Sequence, residues 1–508
     1  MNRIDRAIAW LDPISAMRRE QARQVLAHYE AAKPSRQRKF HLDNTSPNNL
    51  VGMSAHALRA QARYLERNHD ISRGALRTLV NNIVGPSGIG IEPQPQRRGG
   101  GLHTEYADAL RSLYEQWRRR PEVGNRMHGA QMDRMVCYTW LRDGECFAQK
   151  VIGRQPGLVY GSGVPFLLEL LEPDFVPLDY TDVSKKIRQG IQVNDWGRAV
   201  AYSVYKGDPR EGLGWNASTE LKSVPAENMV HVNTIDRLHQ WRGVSEFASV
   251  ITRIQDLKEY EDAERIAAKI AASLTAFVRR NSPDGYQPPA ERDENGNQKP
   301  RDLRLHPGSI IDDLAVGEDI GLIDANRPNP NLVGWRSGQL RAYAAGLGAS
   351  YSSIARDYGG SYASMRQELV EQWVHYAVLT DDFVGMWSRP NWETFVQVAH
   401  LSGALPIPRD VQPGTADHCL FVGQSMPWID PLREAQSWLA LTQAGFASEV
   451  EVIRRRGGNP AEVIEQIGAW RAQVRERGLY FNSAATPQAA GVPAAAPIDP
   501  QNGNGDEK

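Results

Sequence analysis

Apolar residues recur at three- and four-residue steps from Ser54 onward, with Leu58, Ala62, Leu65, Leu76, Leu79, Val80 and Ile83 in phase. That spacing predicts a helix. The stretch Val84-Gly85-Pro86-Ser87-Gly88-Ile89-Gly90 stops it, because proline and clustered glycines break helices. Between residues 101 and 240 the pattern predicts one helix, from Tyr106 to Trp117, and short alternating strands at 166–171, 190–193 and 199–205. Asp, Gly and Pro separate these pieces, as an antiparallel α+β arrangement requires.

The clearest signal follows. From Ser245 to Arg279 no proline or glycine interrupts 35 residues, and Phe247, Val250, Ile251, Ile254, Leu257, Ile266, Ile270, Leu274 and Phe277 keep helical spacing. One unbroken helix over that span would be roughly 50 Å long, which suggests a strut or bundle element. Residues 281–305 are polar, proline-bearing and charged with both signs, an exposed excursion. Strand-like pieces at 308–311 and 320–323 follow it. After Pro328-Asn329-Pro330-Asn331 a second helix is expected to about Ala345. A glycine-bearing loop, Asp357-Tyr358-Gly359-Gly360-Ser361, precedes a third long helix from about Ala363 to Trp387. The chain then reads as loop from Pro406 to Asp430. Pro431 suits a first helical position, and a helix–turn–helix piece interrupted at Gly457-Gly458-Asn459-Pro460 ends near Leu479. Residues 483–508 are Ala, Pro, Gly, Asn and Gln with almost no large apolar side chain, and read as a disordered tail.

At 508 residues the chain is too long for one ordinary core and should form two to four units. With 41% apolar residues and 13 tryptophans it is not a disordered chain. Its 59 Lys and Arg balance 60 Asp and Glu, for a net charge of −1, which excludes a protein that coats nucleic acid by charge alone. The first 40 residues hold nine Lys/Arg and four Asp/Glu, either a partner-binding arm or a solvated helix. Cys137, Cys146 and Cys419 form no CxxC pair, so a disulfide framework is not expected and a reducing compartment is. The N-terminus has no uninterrupted apolar stretch of signal-peptide kind. The longest nearly apolar run, Ile266 to Val278, has 13 residues including Lys269, too short for a bilayer. A soluble, cytosolic chain is the expectation.

No HExxH, CxxC, Walker A, GxGxxG or GxSxG string occurs. Carboxylates cluster at Glu169, Glu172 and Asp174, at Asp312-Asp313 with Glu318-Asp319, and at Asp381-Asp382. Adjacent acids of this kind are more often helix starts or solvated turns than a two-metal centre. His231, His239, His375 and His400 show no ligand spacing. Neither an active site nor a metal or cofactor is expected. The alternative is a DNA-processing enzyme, such as a nuclease or terminase subunit, with dispersed catalytic groups. A different virion or scaffold protein built on long helices is a third reading.

The order of particular strings goes further. In sequence come Leu58-Arg59-Ala60-Gln61-Ala62-Arg63, Glu66-Arg67-Asn68, Asn82-Ile83-Val84-Gly85, Arg142-Asp143-Gly144-Glu145-Cys146-Phe147 and Leu171-Glu172-Pro173-Asp174. Then follow Gly190-Ile191, Gly197-Arg198-Ala199-Val200-Ala201-Tyr202, His231 and Gln240-Trp241-Arg242-Gly243-Val244-Ser245. Last are Tyr260-Glu261-Asp262-Ala263-Glu264, Ala344-Ala345-Gly346-Leu347-Gly348, Tyr362-Ala363-Ser364-Met365-Arg366 and Trp428-Ile429-Asp430-Pro431. With these strings in this order, residues of about 45 to 480 resemble the portal proteins of lambda-like tailed bacteriophages. The chain departs from the family's usual turn at Arg237-Leu238-His239-Gln240 and from its usual stretch at Ser361-Tyr362-Ala363-Ser364.

The resemblance implies a multi-domain α+β subunit of a ring, with long stem helices and antiparallel β pieces. It implies an N-terminal arm (1–50), wing (51–240), first stem helix (241–276), clip (277–327) and second stem helix (328–356). A tunnel loop (357–365), a wing return helix and loop (366–424), a crown (425–482) and a disordered tail (483–508) complete it. The tunnel loop, Asp357, Tyr358, Gly359, Gly360, Ser361 and Tyr362, would face DNA in the channel. Asp284, Tyr286, Arg292, Asp293, Glu294, Lys299 and Arg301 of the clip would dock terminase and then head-tail connector proteins. Further implied partners are identical copies, as a dodecamer, major capsid and scaffold proteins, and duplex DNA read without sequence preference. No membrane is involved. The place implied is a capsid vertex of the virion, after assembly in the host cytoplasm.

Overall fold

The computed structural model describes residues 10, 12–15, 17, 18, 44–211, 219–272, 276–280, 318–322, 331–426 and 430–479. The first expected helix is two, α1 (Pro47–Asn68) and α2 (Asp70–Ile83). The break is His69, whose φ of −126° and ψ of 115° leave helical space, so one apolar period continues through a corner. α1 buries Val51, Ala55, Ala62 and Leu65, and with them Arg59.

Strand β1 (Gly90–Pro93) is followed by α3 (Thr104–Arg118) and α4 (Gly129–Asp143). α4 lies in a stretch expected to hold strands around a single helix. Ten of its 15 residues are buried, Asp133 and Asp143 among them, so it has no wide polar face to set an amphipathic period. β2 (Glu145–Ile152) and β3 (Phe166–Leu171) come next, then β4 (Ile187–Arg188), β5 (Ile191–Val193), β6 (Ala199–Tyr205), β7 (Leu221–Pro225) and β8 (Met229–Asn233). They form two antiparallel sheets, ordered β3-β2-β8 and β4-β5-β6-β7. Phe147 on β2 joins Ile191, Tyr202, Val204 and Val224 in the smaller core beneath the second sheet.

The long uninterrupted pattern does not make one helix. Residues 246–250 form turns, α5 runs Ile251–Ala272, and β9 (Ala276–Arg280) follows as a strand. The helix is about 33 Å long rather than 50 Å. Ala276, Phe277 and Val278 suit a strand, and β9 pairs antiparallel with β10 (Glu318–Leu322), from Ala276 opposite Leu322 to Arg280 opposite Glu318. The two ends of the polar excursion are therefore neighbours in space. The expected strand at 308–311 and the clip residues Asp284, Tyr286, Arg292, Asp293, Glu294, Lys299 and Arg301 lie outside the described residues.

The chain continues through α6 (Leu332–Gly346), α7 (Tyr351–Ala355) and α8 (Tyr362–Phe383). A π-turn over Val384–Ser388 leads into α9 (Arg389–Leu401). The segment expected to be loop contains β11 (Cys419–Val422), which pairs with β1 from Gly90 opposite Val422 to Pro93 opposite Cys419. Three helices close the described chain: α10 (Pro431–Gln443), α11 (Glu449–Arg455) and α12 (Pro460–Glu476). Asp430 caps α10 as its sequence suggests, its carboxylate accepting the Arg433 amide at 3.2 Å.

The main core is aromatic. Trp117 stacks on Phe166 at 5.3 Å with planes 2° apart and donates its indole N–H to the Phe166 carbonyl at 2.7 Å. Tyr114, Trp392 and Phe395 complete the cluster. Each such ring removes on the order of 150–250 Å² from water. Trp387 reaches Asp133, which also binds Arg118 at 2.7 Å, so α9's approach ties down both α3 and α4.

Gly144 follows α4 at φ +89°, and a Cβ there would sit 2.3 Å from the Val244 carbonyl carbon. Gly153 has the same φ with nothing within 4 Å. Gly153→Ala should therefore cost about 1 kcal/mol of backbone strain. Gly144→Ala should cost more by the backbone clash, roughly 2 kcal/mol or above. Thermal melts of the two variants check this, and equal melting temperatures would contradict it.

Candidate functional site

The candidate site is the strut pair α5/α6, the loop beyond it, and the joint that fixes both to the rest of the chain. α5 and α6 lie antiparallel. Arg253 donates to Gln339 at 2.7 Å, Arg336 to Glu261 at 2.5 Å, and Tyr260 packs against Trp335 at 4.4 Å. At the base Gly346 lets the helices close, for a Cβ there would fall 2.4 Å from Val250 Cγ1. Val250, Ile251, Ile254 and Leu257 from one helix and Leu340, Tyr343 and Ala344 from the other enter the main core. Tyr343 donates to Ser72 at 3.2 Å, and Lys258 donates to the Asn68 carbonyl at 2.9 Å. The strut is rooted at the α1–α2 corner.

After α6 the chain is pinned on both sides of an exposed loop. Ser350 donates its amide to Gln372 on α8 at 2.9 Å, Ser353 Oγ donates to the same Gln372 oxygen, and Ser352 Oγ donates to Glu368 at 2.8 Å. Arg356 ends α7 at φ +56° and donates to Thr78 at 3.4 Å. Asp357 accepts from Tyr351 at 3.0 Å and from the Gly359 amide at 3.2 Å, and Ser361 caps α8 through the Ser364 amide. Tyr358 and Tyr362 stand half exposed at either side of Gly359 and Gly360. The six loop residues read from the sequence are thus brought together on one exposed turn. Neither glycine has positive φ, and a Cβ on either would make ordinary or slightly tight contacts. Their value is freedom to move, since the resting conformation does not demand glycine.

The joint went unread in the sequence as a site, although its residues lie in the quoted strings. Glu145 opens β2 immediately after Gly144 and is wholly buried. Arg59 Nη2 donates to its Oε1 at 2.9 Å, and Arg242 donates Nε at 2.9 Å and approaches with Nη2 at 2.7 Å. His231 Nε2 lies 3.0 Å from Oε2, and the Gly243 amide donates to Oε2 at 3.1 Å. Arg242 also donates to the Gln189 and Pro173 carbonyls, so its fork is filled. From this hub the pairs run outward. Arg59 and Arg63 reach Asp174, Arg63 and Arg142 hold Asp143, and Arg210 spans Glu172, Asp174 and Asp208. Five guanidiniums meet five carboxylates.

Burial alone would push the Glu145 carboxyl up. Arg242, His231 and Arg59 outweigh burial and hold it far below the usual range. Asp174 is lowered in the same way, by Arg59 and Arg63 against its burial. Burial lowers His231 and keeps it neutral, with its Nε2 proton given to Glu145. The acids Glu172 and Asp174, weighed above as a metal candidate, are arginine partners. Glu169 pairs with Lys222. Among the described residues no group of three or more His, Cys, Asp or Glu could hold a metal ion, and no helix is long and apolar enough to cross a membrane.

The same segment closes backbone on backbone. Gly144 accepts from the Thr234 amide at 2.9 Å, Leu141 accepts from Glu246 at 3.1 Å, and a Cβ on Gly243 would lie 2.0 Å from the Gly144 carbonyl oxygen. The lead-in to α5 is therefore welded to the α4–β2 corner.

Comparison with known proteins gives three findings. The family described as phage portal protein, lambda family, matches residues 33–379. A probable portal protein of Halomonas phage phiHAP-1 is 22% identical over 463 residues, covering 87% of this chain and 85% of the relative. Portal protein B of Escherichia phage lambda is 22% identical over 452 residues, covering 82% of each. Among solved structures, a chain of the neck of a native GTA particle computed with C12 symmetry aligns with 82% of this chain and all of its own length. It does so at 13% identity and a TM-score of 0.39, a likeness too loose to carry an argument.

Removing the Glu145 charge leaves two buried guanidiniums short of a partner. Glu145→Gln should cost about 3–5 kcal/mol, read as a lower urea midpoint. Acid acts in the same direction. His69, His231 and His375 are all lowered by burial, so the unfolded chain takes up their protons first. Their stabilisation is complete above roughly pH 7 and is lost as pH falls through about 6.5 and below. Below about pH 5 the lowered Glu145 and Asp174 add to the loss, while Glu246 and Asp382, raised by burial, oppose it. Urea midpoints measured from pH 8 to 5 should be flat and then fall. A midpoint that rises on acidification contradicts this reading.

Proposed function

The chain belongs to the lambda family of phage portal proteins, and we propose that copies of it stand as a ring that conducts DNA during packaging and ejection. The observation that carries this reading is the strut pair. Two antiparallel helices rooted in the core bracket a polar excursion whose ends are joined by β9 and β10. An arm held at the tip of a strut suits a docking surface that serves successive partners, terminase first and head-tail connector later. The clip residues Asp284, Tyr286, Arg292, Asp293, Glu294, Lys299 and Arg301 belong to that arm. Capsid and scaffold proteins would meet the ring at its vertex, and assembly would take place in the host cytoplasm.

A neighbouring copy is supported by α8. Val370, Val374 and Val378, four residues apart, form an exposed apolar stripe on the helix that follows the loop. Twelve copies would suit the ring. The balanced charge fits a conduit, because each phosphate neutralised adds to affinity and a ring multiplies every lysine by its copy number. The channel would be lined by acidic and neutral groups with sparse positive rings. Asp357 to Tyr362 would touch the phosphate backbone without reading bases. Catalysis is not part of this role, and ATP hydrolysis would belong to the terminase.

The test is a packaging assay with purified particles and terminase. Gly359→Pro with Gly360→Pro removes the loop's freedom and the Gly359 amide donor, and should abolish DNA uptake while negative-stain images still show rings. Gly359→Ala with Gly360→Ala should package at a reduced rate. Normal packaging by the double proline variant would overturn the loop's role. Monomers in place of rings for the unmodified chain would overturn the conduit.

A further inference from the structure

The last three helices bury almost nothing. No residue of α10 or α11 is buried, and α12 buries only Pro460 and Val474. Every residue from Ile464 to Gln473 is exposed, on all sides of the helix over nearly three turns. Isolated helices of this length are marginal in water. They are joined to the rest of the chain by ion pairs: Glu434 with Arg366 at 3.8 Å, Arg454 with Glu92 at 2.6 Å, and Glu462 with Arg111 at 3.7 Å. Yet they carry two sets of large apolar side chains. Leu432 and Leu439 lie two turns apart on one face of α10, with Phe446 in the turn beyond, at 69%, 58% and 82% exposure. On α12, Ile464, Ile467 and Trp470 form the second set, at 65%, 44% and 56%.

Something must cover both faces, and its chemistry is constrained. DNA is a poor match, since α12 sets Glu462, Glu465 and Glu476 against Arg471 and Arg475 and offers no surplus for phosphates. The chain's own residues 480–508 supply only Tyr480, Phe481, Val492 and Ile498 as large apolar side chains, too few for two helices. Another copy of this chain supplies both faces, and a head-to-tail contact requires two different, complementary patches on every copy. These residues lie past position 379, where the family match ends.

We propose that the Leu432–Leu439–Phe446 face of one copy seats against the Ile464–Ile467–Trp470 face of the next, closing a collar that stabilises the ring. This rests on the ring proposed above. Within each copy the collar is held by partly exposed ion pairs, so its order comes from closure of the ring.

The experiment uses the full chain carrying Cys419→Ser, which leaves only the buried Cys137 and Cys146. Leu439→Cys and Trp470→Cys are introduced together and singly, and the proteins are oxidised and run on a non-reducing gel. The double variant should give a ladder of covalent oligomers, and each single variant should stay monomeric. A second pair, Leu439→Glu with Trp470→Glu, should raise the protein concentration needed for half-assembly roughly tenfold or more. Dimers from the single variants would mean like-to-like contact and overturn the pairing. So would a ladder that disappears on truncation after Leu479, because the tail would then be the cover. Rings in negative stain that give no ladder, and that withstand the double glutamate change, would overturn the collar while leaving the conduit standing. Absence of rings in the unmodified chain would be a failure of the conduit itself.

Discussion

A single carboxylate, Glu145, sits without solvent contact between two guanidiniums that are equally buried. Four separate parts of the chain meet there: Arg59 from α1, Glu145 from the α4–β2 corner, His231 from β8, and Arg242 from the segment that becomes α5. Taking these charges out of water is costly, and the cost is offset only if every lone pair and donor is matched. Such matching specifies one geometry sharply, because a small rotation of the strut base would strand a charge. The surrounding pairs, from Asp143 and Asp174 out to Arg210, carry the neutralisation to the surface.

The chain is graded in stiffness. At the joint, buried ion pairs and backbone contacts at Gly144 and Gly243 fix where the strut leaves the wing. Beyond it the loop is pinned at Gln372, Glu368 and Thr78 but free at Gly359 and Gly360. Farther still, the terminal helices rest on ion pairs at least partly open to water, the kind that contribute little. A conduit needs that order. The frame must hold its angle while a rod of DNA moves past, the loop must follow the rod, and the outer contacts must form only when copies meet.

Much of this was legible in the sequence where one face of an element is wet. The β3 and β6 strands, α3 and the Asp430-capped α10 followed from alternation, period and capping. α4 was not legible because burial on most sides erases its period. The end of α5 was misread because Phe277 and Val278 fit either a helical phase or a strand, and only the pairing with β10 decides. β11 was hidden because its partner lies more than 300 residues away. The loop residues were found from glycine and position in the family order. The joint left a subtler trace: Arg59 falls in phase with Val51, Ala55 and Ala62 on an otherwise apolar face, and Arg-Asp-Gly-Glu stands between a buried helix and a buried strand. Charges in core phase announce partners, but the sequence does not say which.

Amide hydrogen exchange on the full chain tests most directly whether the Glu145 joint makes strut and wing one unit. Residues 143–149 and 241–257 should exchange as a single, most slowly opening block, and Glu145→Gln should speed both segments together. Rapid exchange across 241–250 while 143–149 stays protected would mean that the strut detaches on its own, and the joint would not be what holds the frame.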